Sequence, residues 1–182
     1  MDKPKTADGR NIINHYFYWE NEAILADLDS KRNNFSILCL NFKYDINISA
    51  VVRNANAFLA KEVIIYGRKK YDRRGAVGTQ NYTRFKYVKE NDNLDEVLSQ
   101  FEQILGIDNI PGAEPIEDFQ WNPSIKTLIC LGQEQIGLPQ EIINRCHKLL
   151  YIKQYGSVRS LNVGCASAIV MYDYVKKCVR RM

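Results

Sequence analysis

The chain has 182 residues, 46% of them hydrophobic and 25% charged, with 25 Lys plus Arg against 21 Asp plus Glu for a formal net charge of +4. That length predicts one domain, two at a stretch, with a core large enough to need no metal or disulfide staples. No run approaches the roughly 18 apolar residues of a membrane span, and the polar start Met1-Asp2-Lys3-Pro4-Lys5 leads into no signal-like segment.

Residues 1–14 read as a polar lead. The aromatic run His15-Tyr16-Phe17-Tyr18-Trp19 is expected to pack on the main core, and 20–32 to form a short amphipathic helix. From residue 35 strands and helices alternate. Residues 35–40 read as a strand, and a helix runs to about Ala60, capped by Asn47 or Ser49. Residues 62–66 read as a strand closed by Gly67, 84–89 as a weaker strand, and 94–105 as a helix by the spacing of its apolar residues. A short strand over 105–109 enters a Pro/Gly loop. Residues 127–131 form a strand ended by Gly132. Pro139 opens a helix to about Arg145, 148–152 is a strand, and 161–177 is a long helix capped by Ser160. This alternation predicts an α/β protein with a mainly parallel sheet and helices on both faces. Ligands of such sheets sit beyond the strand carboxyl ends, so the loops after 40, 66, 108, 131 and 152 are the places to look.

The five cysteines, at 39, 130, 146, 165 and 178, include no C-x-x-C pair, and most lie in apolar runs, which suits buried thiols in a reducing cytoplasm. The two histidines, His15 and His147, stand near no ligand cluster, so no metal site is expected. Arg68-Lys69-Lys70-Tyr71-Asp72-Arg73-Arg74 concentrates cations around an aromatic residue and is expected to meet nucleic acid. The tail cations Lys176, Lys177, Arg180 and Arg181 are read as a solvated helix end.

Three constellations carry the chemistry. In Asn47-Ile-Ser-Ala-Val-Val-Arg53 a helix sets an apolar stripe (Ile48, Val51, Val52, Ala55, Leu59) beside a small polar face holding one guanidinium. Leu131-Gly132-Gln133-Glu134-Gln-Ile-Gly137-Leu138-Pro139 is a strand followed by a turn with two glycines around a carboxylate. It has the glycine spacing of a phosphate loop but lacks the Lys-Ser/Thr that would hold triphosphate and magnesium. No G-x-G-x-x-G occurs, which disfavours a Rossmann-type metabolic enzyme. In Ile152-Lys-Gln-Tyr-Gly156-Ser-Val-Arg159-Ser160-Leu161-Asn162-Val-Gly164 a strand turns into a helix that is apolar nearly all round, as at a dimer interface.

In order and spacing these three segments resemble the signature motifs of the SpoU/TrmH family of RNA ribose methyltransferases, within the SPOUT class. The resemblance covers about 35–177, leaving 1–34 as an N-terminal extension and 35–182 as the methyltransferase domain. It implies an alpha/beta knot with a C-terminal trefoil, a homodimer whose site draws on both subunits, and methyl transfer from S-adenosylmethionine to a ribose 2′-hydroxyl in structured RNA. Transfer RNA is favoured over ribosomal RNA. Carried over residue by residue, Arg53, Asn47, Glu134, Ser160 and Asn162 take the catalytic positions. Asp108, Asn109, Leu131, Gly132, Gln133, Ile152, Gly156, Ser160 and Leu161 take those that hold the cofactor. Arg68, Lys69, Lys70, Arg73, Arg74 and Arg159 are expected to meet RNA. Lys153, where a proline is usual, Leu59, where a glycine is frequent, and Arg159, where an acidic residue is frequent, depart from the pattern. A non-catalytic RNA-binding module and a base-directed methyltransferase are the other readings.

Overall fold

The computed structural model describes residues 9–40, 42–67, 70–90 and 92–179. Helix α1 (Asn21–Asp29) precedes strand β1 (Phe35–Cys39), α2 (Ile46–Ala57), β2 (Val63–Tyr66), β3 (Phe85–Val88), α3 (Leu94–Leu98) and β4 (Gln103–Ile107). Then come β5 (Glu114–Pro115), β6 (Thr127–Leu131), α4 (Gln140–Ile143), β7 (Lys148–Tyr151) and α5 (Val163–Cys178). The strands form one seven-stranded sheet in the order β3-β2-β1-β6-β4-β7-β5, and every pairing is parallel. β1 and β6 are buried along their whole length, as continuous apolar strands covered on both faces must be.

Register places the four central strands level. Cys39 pairs with Leu131, Leu131 with Ile107, and Ile107 with Leu150, so the loops that follow β1, β6, β4 and β7 start side by side at one edge. Alternation along the strands then assigns the faces. The Phe35 ring lies 4.6 Å from the Tyr174 ring of α5. On the opposite face stand Leu38, Cys130, Gly106 and Leu149. There a Cβ added to Gly106 would come within 2.7 Å of Leu138 and 2.9 Å of the Cys146 thiol, on either side of α4. α2 packs directly on α5: Asn54 Nδ2 donates to the Gly164 carbonyl at 2.8 Å and to Ser167 Oγ at 2.9 Å.

Several local expectations give way to tertiary structure. The helix expected over 94–105 stops at Leu98, and Gln103–Ile107 becomes β4, because ladders to β6 and β7 on both sides outweigh a helical stripe. Asn47 and Ser49 cap nothing. Both lie inside α2, where Ser49 Oγ donates to the Asp72 carbonyl and Asn47 turns toward the second glycine loop. Asn162 replaces Ser160 as the cap of α5, accepting from the Gly164 and Cys165 amides. α5 is not uniformly apolar in its setting either. Val170, Met171 and Tyr174 are buried, while Cys165, Ile169 and Tyr172 form an exposed strip. Of the aromatic run only Tyr16 is buried, in a satellite cluster with Ile24 and Tyr82, and Tyr18 is 78% exposed.

The α2–α5 contact depends on the absence of a side chain at Gly164, whose added Cβ would sit 2.7 Å from Ala50 Cβ. A methyl group on a helix backbone has nowhere to retreat. Gly164→Val is expected to lower stability by about 1–3 kcal/mol, as overpacked contacts do; an unchanged urea midpoint would contradict this packing.

Candidate active site

The loops after β4, β6 and β7, together with the start of α5, enclose a cleft of about 240 Å³. Asp108, Asn109, Leu131, Gly132, Gln133, Ile152, Ser160 and Leu161 all line it, as do Glu134 and Asn162. Gly156 does not: it is exposed, with open space where a side chain would point, so nothing at this position requires glycine. The walls also include Tyr151, Gln154, Val163 and Ala166, which the motif reading passed over. Their signal was positional, since each immediately follows a strand end or opens α5.

The wall after β6 is built by close backbone approach. Gln133 and Gly137 exchange backbone hydrogen bonds of 2.8 and 2.9 Å, folding the loop back on itself. Gly137 has φ +68°, and a Cβ there would lie 2.2 Å from Asp108 Oδ2; the same oxygen accepts from the Leu138 amide at 2.6 Å. Asp108 thus ties the end of β4 to this loop, and Gly137 must be glycine on two independent grounds. A Cβ on Gly132 would stand 3.1 Å from the Gly137 backbone, so it too is pressed against the returning strand.

A chain of side-chain amides crosses from α5 to the carboxylate. Asn162 Oδ1 accepts from the Gly164 amide at 2.9 Å, which leaves its Nδ2 to donate to Asn47 Oδ1 at 3.0 Å. Asn47 Nδ2 then donates to Glu134 Oε1 at 2.6 Å, while Glu134 Oε2 accepts from the Lys43 backbone at 2.9 Å. The helix N-terminus therefore fixes the orientation of both amides. Burial opposes the charge on Glu134, yet the Asn47 amide and the backbone N–H groups of Glu134, Lys43 and Tyr44 together hold its carboxyl below the ordinary glutamate range. The result is a fixed carboxylate on the wall of an otherwise largely uncharged cleft.

Arg53 is not at this cleft. It lies six residues beyond Asn47 on α2, about 9 Å along the axis and roughly 120° around it, is exposed, and makes no hydrogen bond or ion pair among the described residues. Of the cations expected to meet RNA, Arg68 and Lys69 lie outside the described residues. Lys70 and Arg73 are exposed after β2. Arg74, also exposed, is committed to Asp72 at 2.6 Å, and its guanidinium holds that carboxyl down to about 2. Arg159 is exposed near the cleft, its carbonyl accepting from Asn109 Nδ2 at 3.2 Å. Lys177 is not a solvated tail cation: its ammonium donates to the carbonyls of Ile116, Glu117 and Phe119. Arg180 and Arg181 lie outside the described residues.

The carboxylate gives a pH signature. Glu134 binds its proton less tightly folded than unfolded, so its contribution to stability is present above the ordinary value of 4.5 and is lost as the pH falls through 4.5 toward the lower folded value. Asn47→Ala is expected to flatten the fall in Tm across that acidic window, relative to wild type. An identical profile in thermal scans would mean that the Asn47 bond does not hold the charge.

This chain matches the SpoU rRNA Methylase family over residues 34–172. It is 25% identical over 152 residues to a tRNA (guanosine(18)-2′-O)-methyltransferase of Aquifex aeolicus (strain VF5), spanning 80% of this chain and 71% of that one. It is 32% identical over 162 residues to a 23S rRNA (guanosine-2′-O-)-methyltransferase of Coxiella burnetii (strain RSA 493 / Nine Mile phase I), spanning 84% of this chain and 63% of that one. Among solved structures, the SpoU methyltransferase AviRb from Streptomyces viridochromogenes in complex with the cofactor AdoMet superposes with a TM-score of 0.70 at 24% identity, over 81% of this chain and 59% of that one. A match that takes in the level strands, both glycines of the returning loop and the Asn162 cap leaves one assignment: the chain belongs to the SpoU rRNA Methylase family.

Proposed function

We propose that this protein is an S-adenosylmethionine-dependent RNA ribose 2′-O-methyltransferase of the cytoplasm, acting on transfer RNA as a homodimer whose segment 152–162 completes a trefoil knot. The observation that carries the reading is the Asn162–Asn47–Glu134 chain closing one side of a cleft at the strand carboxyl ends. The residues present fit the cofactor. Leu131, Ile152 and Leu161 offer apolar wall for a purine, and Glu134 is an anion for the cationic end. Gly132 keeps the loop backbone close, and one buried acceptor, Gln154 Oε1, accepts no hydrogen bond from the described residues. Support for the knot comes from 160–163 lining the same cleft as the loops after β4 and β6. Support for the cytoplasm comes from five free cysteines, two of them in central strands.

When bound, S-adenosylmethionine supplies an electrophilic methyl group on a sulfonium. Everything else is positioning by the chain. Asn47 and Asn162 hold Glu134 in place. A guanidinium stays protonated at neutral pH and makes a poor base. Arg53 therefore acts by fixing the RNA phosphate and stabilising negative charge as it develops on the ribose oxygen. Because Arg53 is off its own cleft, it serves the cleft of a second copy. The exposed strip Cys165, Ile169 and Tyr172 on α5, with Phe58 of α2 beside Tyr172, supports the pairing face. Lys70, Arg73 and Arg159 supply cations toward the RNA. Ribosomal RNA is the second reading, favoured by the 32% identity to the Coxiella enzyme.

Incubation with methyl-labelled cofactor and either total tRNA or rRNA, followed by nucleoside mass spectrometry, is expected to place a 2′-O-methyl group in tRNA. Label in a base, or none in either RNA, would refute the reading. Arg53→Ala is expected to lose about 100- to 1000-fold in turnover, the scale of removing a charge-stabilising donor, with cofactor affinity by calorimetry unchanged. Mixing Arg53→Ala with Glu134→Gln chains is expected to restore about a quarter of wild-type activity, since random assortment rebuilds one whole site in each mixed dimer. No recovery would place Arg53 outside the partner's site.

A further inference from the structure

One polar atom of the cleft has no partner within the chain. Gln154 Oε1 is buried and accepts no hydrogen bond from any described residue, although Gln154 stands on the cleft wall. Among the described residues only Gln80 Oε1 shares this condition, and Gln80 is not part of the cleft. Leaving a buried acceptor unpaired shifts an equilibrium by roughly ten- to hundred-fold. A loop that keeps such an atom facing a cavity is built for a donor that arrives with the ligand.

Resting on the S-adenosylmethionine reading above, we propose that Gln154 Oε1 accepts a hydrogen bond from the exocyclic amine of the adenine ring, so that this side chain selects a 6-aminopurine. The two ends of the cleft differ in charge. Glu134 follows β6 and is pulled toward β1 by Asn47 and Lys43. Gln154 follows β7, with β4 standing between β6 and β7, so the two residues leave the sheet two strand spacings, about 10 Å, apart. A carboxylate attracts the cationic amino-acid end of the ligand, and a neutral amide oxygen has no advantage there. At the β7 end, Ile152 and Leu161 provide apolar surface for a flat ring, and Gln154 offers an acceptor to that ring's polar edge. A purine ring with an amine at C6 satisfies both demands. A ring lacking the amine satisfies only the apolar one and leaves the oxygen buried and unpaired.

The test is a binding cycle by calorimetry, using S-adenosylhomocysteine and its 6-deamino purine analogue with wild type and with Gln154→Met, which keeps length and apolar volume. Wild type is expected to bind the amino ligand about tenfold more tightly than the deamino ligand, the scale of one buried hydrogen bond. Gln154→Met is expected to bind the two alike. If the variant keeps the wild-type preference, the contact lies elsewhere and the proposal falls, while the cofactor reading stands. The ligand comparison on wild type alone needs no variant to fold: equal affinity for the two ligands overturns the proposal. A preference that follows loss of a ribose hydroxyl instead of the amine moves the acceptor to the sugar and overturns it as well. Failure of wild type to bind S-adenosylhomocysteine at all sinks the cofactor reading and this proposal together.

Discussion

Asn47 is held through both atoms of its amide at once, by residues 115 and 87 positions away in the chain. Level parallel strands bring the three loops to the same edge, but a sheet does not decide which atom of a side chain faces which neighbour. That decision starts at α5. Its first free N–H groups need an acceptor, Asn162 supplies an oxygen, and the remaining nitrogen of each amide can then point only one way. The carboxylate at the end of the relay receives an amide donor because a helix cap elsewhere left no alternative. Removing any member would orphan a polar atom at a part-buried position, so the relay resists stepwise drift.

The same loops are pressed together by backbone. Asp108 bonds the Leu138 amide while occupying the volume that a side chain at Gly137 would need. This carboxylate is as much a strap between the ends of β4 and β6 as a wall of the cleft. A cofactor that contacts main chain needs walls that do not move, and here the strap, the two backbone bonds between Gln133 and Gly137, and the amide relay restrain the same few residues. Such restraint lets a loop behave as part of the sheet that carries it.

What the sequence made legible follows from where local pattern and tertiary demand agree. The run 127–131 is wholly apolar apart from its first residue and became β6 with the same bounds, because a strand buried on both faces has no other pattern to show. The second glycine loop was readable for a similar reason, its glycines being required by contact. The stretch 94–105 misled because Val97, Leu98, Phe101 and Leu105 satisfy a helical period, while the deciding interaction, pairing on both sides of β4, joins residues far away in the chain. Ser160 was a plausible cap, but the acceptor that reaches the Gly164 amide sits two residues later. Gln154 carried no local signal. A lone glutamine after a strand is ordinary, and only the enclosure of its oxygen, which no spacing encodes, sets it apart.

The spacing of Asn47 and Arg53 has a consequence that a linear reading obscures. In sequence the two belong to one motif, and it is natural to draw them into one pocket. On a helix they cannot share one, for a separation of six residues turns the second side chain about 120° away from the first. α2 spends its inner face on Asn47, Ile48, Val51 and Val52, which leaves Arg53 on the outside beside the row that meets α5. The motif therefore encodes two different clefts: Asn47 serves the one in its own chain, and in the proposed dimer Arg53 serves the one across the interface. A single protomer then holds every restraint needed to shape the donor cleft but lacks the guanidinium that faces it. Cofactor binding is accordingly a property of the folded chain, whereas turnover is a property of the pair.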